Sequence, residues 1–104
     1  MPFTRISIDE VDAKLKAAPA TVIDIRDPVS FARGHLEGAE HVSNQNLADF
    51  INHADFERPL IVYCYHGNSS QGAAEYFSAQ GFAEVYSMDG GFEAWKLTYP
   101  YVPA

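Results

Sequence analysis

Apolar residues recur along the chain in two rhythms, short unbroken runs and helically spaced sets, and the two take turns. Phe3 to Ile6 reads as a short strand. Ser7 then suits a helix N-cap, and Glu10 three residues later completes a capping box. Ile8, Val11 and Leu15 fall on one helical face, so a helix is expected over 8–17, closed by Pro19. Thr21 to Ile25 is β-branched and reads as a buried strand. Asp27-Pro28 follows as N-cap and first helical position, and Gly34 stands where a C-terminal glycine would end that short helix.

Residues 35–43 are loop-like, with a brief strand near His41-Val42. Leu47, Phe50, Ile51 and Ala54 predict a helix over 46–55, broken by Pro59. Leu60-Ile61-Val62-Tyr63 is the next buried strand, with Cys64 at its carboxyl end and a glycine-containing loop over 65–68. Ala73, Ala74, Tyr76 and Phe77 mark the packed side of a helix over 69–80, stopped at Gly81. Glu84 to Ser87 is a last strand, Asp89-Gly90-Gly91 a turn, and Phe92, Trp95 and Lys96 belong to a final short helix. Strands alternating with helices predict an α/β fold with a largely parallel sheet covered on both faces. Ligands of such sheets bind beyond the carboxyl ends of the strands, which directs attention to residues 24–27, 64–69 and 88–91.

Composition narrows the function. With 104 residues, one domain over 1–104 is expected. A hydrophobic fraction of 47% argues against a disordered chain. No apolar run approaches the roughly 20 residues of a membrane span. The N-terminus lacks the apolar stretch of a secretory signal. A single cysteine excludes an intrachain disulfide and a multi-cysteine zinc site, and a reducing cytoplasm is the expected location. The four histidines show no metal-ligand spacing, and neither a metal nor a cofactor is expected. Seven Lys plus Arg against fourteen Asp plus Glu give a net charge of −7, which disfavours nucleic acid and gives no reason to expect a membrane partner. An anionic ligand must be held by a local device that works against this field.

Cys64 is where such a device is expected. A lone cysteine is most often a small buried hydrophobe. This one ends a buried strand and opens the loop Cys64-Tyr65-His66-Gly67-Asn68-Ser69-Ser70 into a helix N-terminus. Successive N–H groups in such a loop converge on one centre, and the helix end adds partial positive charge. Both favour thiolate over thiol, giving a nucleophile. Gly67 permits a backbone conformation that a side chain would block. The loop holds no Lys or Arg. Ser70 stands where a Cys-x5-Arg phosphatase needs its guanidinium, which argues against phosphate esters.

Three segments together resemble the rhodanese family of sulfurtransferases, and in particular its small thiosulfate-specific members. These are Val22-Ile23-Asp24-Ile25-Arg26-Asp27 leading into Phe31 to Ala39, the loop Cys64 to Ser70, and Met88 to Trp95 followed by Tyr99-Pro100. The resemblance implies a five-stranded, mostly parallel sheet flanked by helices. It also implies a double displacement. Cys64 thiolate takes the sulfane sulfur of thiosulfate, sulfite leaves, and a thiophilic acceptor removes the sulfur from the Cys64 persulfide. Cyanide is the usual assay acceptor, and a dithiol protein such as thioredoxin a physiological one, with the protein working as monomer or homodimer. Many rhodaneses carry Arg or Lys in the loop; Tyr65, His66 and Ser69 stand at those places here, so thiosulfate capture is expected to be weak. The loop length suits sulfur rather than phosphate or arsenate. Two rivals stay open: a persulfide relay or regulatory module, and a cysteine phosphatase or arsenate reductase.

Other residues divide between roles. His66 either orients substrate or acceptor, or biases the thiolate when protonated, or is an exposed loop imidazole. Ser69 and Ser70 suit donating hydroxyls to the sulfur, capping of the helix by one of them, or both roles together, and Asn68 suits a left-handed turn. Asp24 and Arg26, two charges at the end of a buried strand, are expected to pair and tie down neighbouring loops, with His35 a hydrogen-bonded structural residue. Gly90 and Gly91 are expected to let a turn approach the active loop, and Trp95 to sit in the core. The tail over 99–104 is expected to lack regular structure and to pack its aromatics on the domain or on a partner.

Overall fold

The computed structural model describes residues 2–104; Met1, the first residue of the expected domain, lies outside them. The elements are β1 (Thr4–Ile6), α1 (Ile8–Ala17), β2 (Thr21–Asp24), α2 (Pro28–Arg33), β3 (Glu40–His41), α3 (Leu47–His53), β4 (Leu60–Tyr63), α4 (Ser69–Ala79), β5 (Val85–Met88) and α5 (Gly91–Thr98). The sheet runs β1-β5-β4-β2-β3, and every pairing in it is parallel. β4 is central, which explains why its four residues are apolar without interruption: both faces are covered.

Alternation along the strands splits the core in two. Leu60 and Val62 of β4, Ile23 of β2 and Val85 of β5 face α3 and α4, where they meet Phe50, Ala74 and Phe77. Ile61 and Tyr63, Val22 and Met88 face the other way, toward Val11 of α1 and Phe92 and Trp95 of α5. Each such aliphatic side chain contributes about 1.5–3 kcal/mol on burial. The first layer is finished by aromatic packing, with Phe56 stacked 4.2 Å from Phe82 and Phe77 edge-on to Phe82 at 5.7 Å.

Local signals set several boundaries. The capping box at α1 is formed: the Glu10 N–H donates to Ser7 Oγ at 3.1 Å and the Ser7 N–H to Glu10 Oε1 at 3.1 Å. Asp27 caps α2 by accepting from the Ser30 N–H at 2.9 Å, with Pro28 at the first helical position. Gly34 ends α2 but for a different reason than a left-handed cap. Its φ is 177°, an extended backbone open to any residue. A Cβ there would lie 2.7 Å from the Tyr101 ring, so the glycine makes room for the tail. That tail is more ordered than its composition suggests. Val102 and His35 exchange both backbone hydrogen bonds at 2.9 Å, and Trp95 Nε1 donates to the Pro100 carbonyl at 3.0 Å. Among the described residues no helix is long and apolar enough to cross a membrane.

Candidate active site

β4 delivers Cys64 to the carboxyl edge of the sheet, between the ends of β2 and β5. The following loop turns back over its own sulfur. Cys64 Sγ accepts from the Gly67 N–H at 3.2 Å and from the Ser70 N–H at 3.3 Å, and its S–H faces Ser70 Oγ at 3.4 Å. Ser70 is the second residue of α4, so its N–H is one of the donors a helix start leaves without an internal partner. The sulfur therefore caps α4. Of the roles open to the serines, the Ser70 hydroxyl takes the one at the sulfur, and neither Ser69 nor Ser70 caps the helix through its hydroxyl. One expectation is corrected: Asn68, the residue at the cap position, has φ −88° and ψ −59°, a right-handed conformation with no side-chain bond to the helix. The left-handed residue of the loop is Gly67, with φ +92°.

Two forces act on the thiol. Desolvation of the buried sulfur pushes its pKa up. The Ser70 hydroxyl and the N–H groups of Ser70, Gly67 and His66 outweigh it, holding the thiol below its ordinary value. A cysteine that starts a helix among aimed donors is a nucleophile rather than a packing residue.

The loop is gripped from outside. The first N–H groups of α5 donate to it, Phe92 to the Cys64 carbonyl at 2.9 Å and Glu93 to that of Tyr65 at 3.0 Å. This approach requires a glycine at 91, where φ is +60° and a Cβ would fall 2.4 Å from the Tyr65 carbonyl oxygen. Gln71 Nε2 donates back to the Gly67 carbonyl at 2.9 Å. On the other side Tyr65 donates its hydroxyl to Asp27, the cap of α2, and holds that carboxyl far below the usual carboxylate range, with help from Ser30.

Asp24 and Arg26 form a buried pair. Arg26 Nη2 donates to Asp24 Oδ2 at 2.6 Å and to the Gly34 carbonyl at 2.6 Å, and its Nε reaches both Asp24 oxygens at 3.1 Å. The guanidinium stacks 4.2 Å above the Phe92 ring and lies 5.9 Å from that of Tyr65. The pair thus joins the β2 turn to the loop and to α5 without offering its charge to solvent. His35 donates Nδ1–H to the Phe31 carbonyl at 2.8 Å and stacks on that ring at 3.9 Å. Among the predicted loop residues Tyr65, His66, Asn68 and Ser69 are exposed.

Ser87 is a polar residue of the site that sequence reasoning passed over. It sits in β5 with no solvent exposure, and its Oγ lies 2.8 Å from Ser70 Oγ. The signal available was a serine in an otherwise apolar strand, which must find a buried partner.

A parallel five-stranded sheet whose central strand ends in a cysteine cradled by its own loop amides defines the architecture, and comparison with known proteins agrees. The chain belongs to the rhodanese-like domain family, whose model matches residues 7–98. It is 58% identical over 98 residues to the thiosulfate sulfurtransferase GlpE of Ectopseudomonas mendocina, covering 94% of this chain and 89% of that protein. It is 56% identical, with 94% and 88% covered, to the protein of the same name from Pseudomonas aeruginosa. Among solved structures it is similar to a rhodanese-related protein from Thermoplasma volcanium (TM-score 0.81, 27% identity, 96% of this chain and 98% of that one). It is likewise similar to a rhodanese-like domain protein from Staphylococcus aureus (TM-score 0.79, 26% identity, 89% and 91%).

Proposed function

We propose that this chain is a thiosulfate sulfurtransferase that carries the transferred sulfur on Cys64. The observation that carries the reading is the placement of the Gly67 and Ser70 N–H groups 3.2 and 3.3 Å from Cys64 Sγ, at a helix start. In the first half-reaction the thiolate attacks the sulfane sulfur of thiosulfate. The S–S bond of thiosulfate breaks with its electron pair going to sulfite, and Cys64 is left as a persulfide. In the second half an acceptor nucleophile attacks the terminal sulfur and Cys64 departs as thiolate. Cyanide gives thiocyanate; a dithiol protein such as thioredoxin takes the same sulfur. The loop amides stabilise negative charge on whichever sulfur bears it, the logic of an oxyanion hole. Sulfur, amides and hydroxyls all come from one chain, so the reading needs no second subunit. A single reactive thiol is suited to a reducing cytoplasm.

Intact-mass spectrometry after thiosulfate treatment tests the reading. A gain of roughly 32 Da is expected from covalent sulfur transfer and is absent in Cys64→Ser. Turnover of thiosulfate and cyanide without any adduct on the protein would overturn it.

A further inference from the structure

A cleft of about 240 Å³ opens between α2 and α5, lined by Arg26, Ser30, Arg33, Phe92, Lys96 and Tyr101 along with Gly34 and Glu93. It adjoins the active loop through α5, whose Phe92 and Glu93 N–H groups are bonded to the Cys64 and Tyr65 carbonyls. Its charge runs against the rest of the molecule. Three of the seven basic residues line it, whereas of fourteen carboxylates only Glu93 does. Arg26 is consumed by Asp24. Arg33 is exposed and makes no ion pair among the described residues, and Lys96 reaches Glu93 at 2.7 Å. The open rim therefore carries two cations against one carboxylate, one net positive charge in a chain of −7. Glu93 shows what an acid meets there. The hydrogen bond from Lys96 outweighs desolvation and holds its carboxyl below the usual range, and the charges of His66 and Arg26 add to the effect.

The surroundings suit a protein better than a small ion. Tyr101, 47% exposed, meets Phe92 edge-on at 5.3 Å across the cleft. Val29 on α2 is 60% exposed and Tyr65 in the loop 38%. Exposed tyrosine with arginine is the composition of an interface core. Cys64 itself is only 3% exposed, so a protein thiol must be seated closely to reach its sulfur.

We propose that the α2–α5 cleft is the docking surface for a protein persulfide acceptor whose dithiol is flanked by acidic side chains. This rests on the sulfur-transfer reading above. The chemistry balances with the acceptor as reductant. One acceptor thiolate takes the terminal sulfur from the Cys64 persulfide and Cys64 leaves as thiolate. The second acceptor thiol then displaces that sulfur as hydrogen sulfide and closes the acceptor disulfide.

Two synthetic Cys-x-x-Cys peptides, one flanked by Asp and Glu and one by Lys and Arg, test it against protein first loaded with persulfide. Near 0.15 M salt, charges beyond about 8 Å are damped, so the cleft rather than the net charge is read. Sulfide release is expected to be about fivefold faster with the acidic peptide, the scale of two exposed ion pairs. The double variant R33E/K96E reverses the preference while discharge to cyanide stays unchanged. Equal rates for the two peptides, or a preference for the basic one, overturn the docking surface. A double variant that instead raises KM for thiosulfate and leaves the peptides alone makes the cleft a small-anion site and also overturns it. Failure of the unmodified protein to form any persulfide is a separate result, which removes the sulfur-transfer reading itself and the docking with it.

Discussion

The hydroxyl oxygens of Ser70 and Ser87 lie 2.8 Å apart, both without solvent exposure, and Cys64 Sγ reaches the first of them at 3.4 Å. Either hydroxyl can donate to the other. With Cys64 as thiol, S–H points to Ser70 and the Ser70 hydroxyl to Ser87. With Cys64 as thiolate the order reverses, and Ser87 strengthens the bond that Ser70 gives to sulfur. Replacing Ser87 by Ala removes that support without touching the sulfur. The expected result is a rise in the Cys64 pKa and a persulfide-formation rate near neutral pH about three- to tenfold lower, on the scale of one buried hydrogen bond. Single-turnover rates with thiosulfate across pH measure both. An unchanged pH profile would mean that Ser87 only fills space.

The pH dependence of the wild-type protein has a definite sign. Burial pushes the Cys64 thiol up, but the donors from Ser70, Gly67 and His66 prevail and the folded-state pKa lies below the ordinary value of 9.0. Alkylation of Cys64 by iodoacetamide should therefore rise to its plateau at lower pH than in the urea-unfolded chain. A group depressed in the folded state adds stability that is fully present above its unfolded pKa and is lost as pH falls through the folded one. Comparing unfolding free energies of wild type and Cys64→Ser across that window should show the difference shrinking on acidification.

Much of this arrangement is legible in the sequence wherever one local signal decides. Ser7 with Glu10 starts α1 at the expected residue, the unbroken run Leu60–Tyr63 matches β4, and Asp27-Pro28 opens α2. The ends of α3 and of β5 shift by one or two residues, because hydrogen bonding to neighbours rather than propensity sets them. The cysteine loop is legible because strand, glycine and helix follow one another within a few residues. Its support is not. Ser87 is 17 residues from Ser70 in sequence, and the two meet only because β5 lies beside β4. Asn68 misleads for a related reason: its side-chain type suits a left-handed turn, but the sulfur claims the helix donors and Gly67 takes that conformation instead.

The ion pair behind the loop gives a stability prediction. Arg26→Met leaves the fully buried Asp24 carboxylate without its cation, facing only neutral donors such as the backbone N–H of residue 26, now at 2.8 Å, and the Tyr63 hydroxyl. Removing one member of a buried pair is expected to cost about 3–5 kcal/mol. Adding Asp24→Leu removes the stranded charge, so the double variant should be more stable than Arg26→Met alone. Urea unfolding of the four proteins measures the cycle. A double variant at the sum of the two single losses would show that Asp24 and Arg26 act independently, contrary to the 2.6 Å contact.

Gly34 separates two reasons for the same residue. If its glycine served a left-handed cap, alanine would be disfavoured by the backbone whatever its neighbours. The observed φ of 177° carries no such demand, while the Tyr101 ring lies 2.7 Å from where a Cβ would stand. Gly34→Ala should thus destabilise by about 1–3 kcal/mol through overpacking. Tyr101→Ala clears the space at the cost of the ring's own contact with Phe92. In the double variant the Gly34→Ala penalty should nearly vanish, a coupling readable from thermal or urea unfolding as a departure from additivity. A penalty that persists without the Tyr101 ring would locate the cause in the backbone. The carbonyl of Gly34 adds a functional readout, since it accepts from Arg26 Nη2 at 2.6 Å. Strain at residue 34 is passed to the pair that supports the cysteine loop, so Gly34→Ala should also slow persulfide formation, and Tyr101→Ala should restore it.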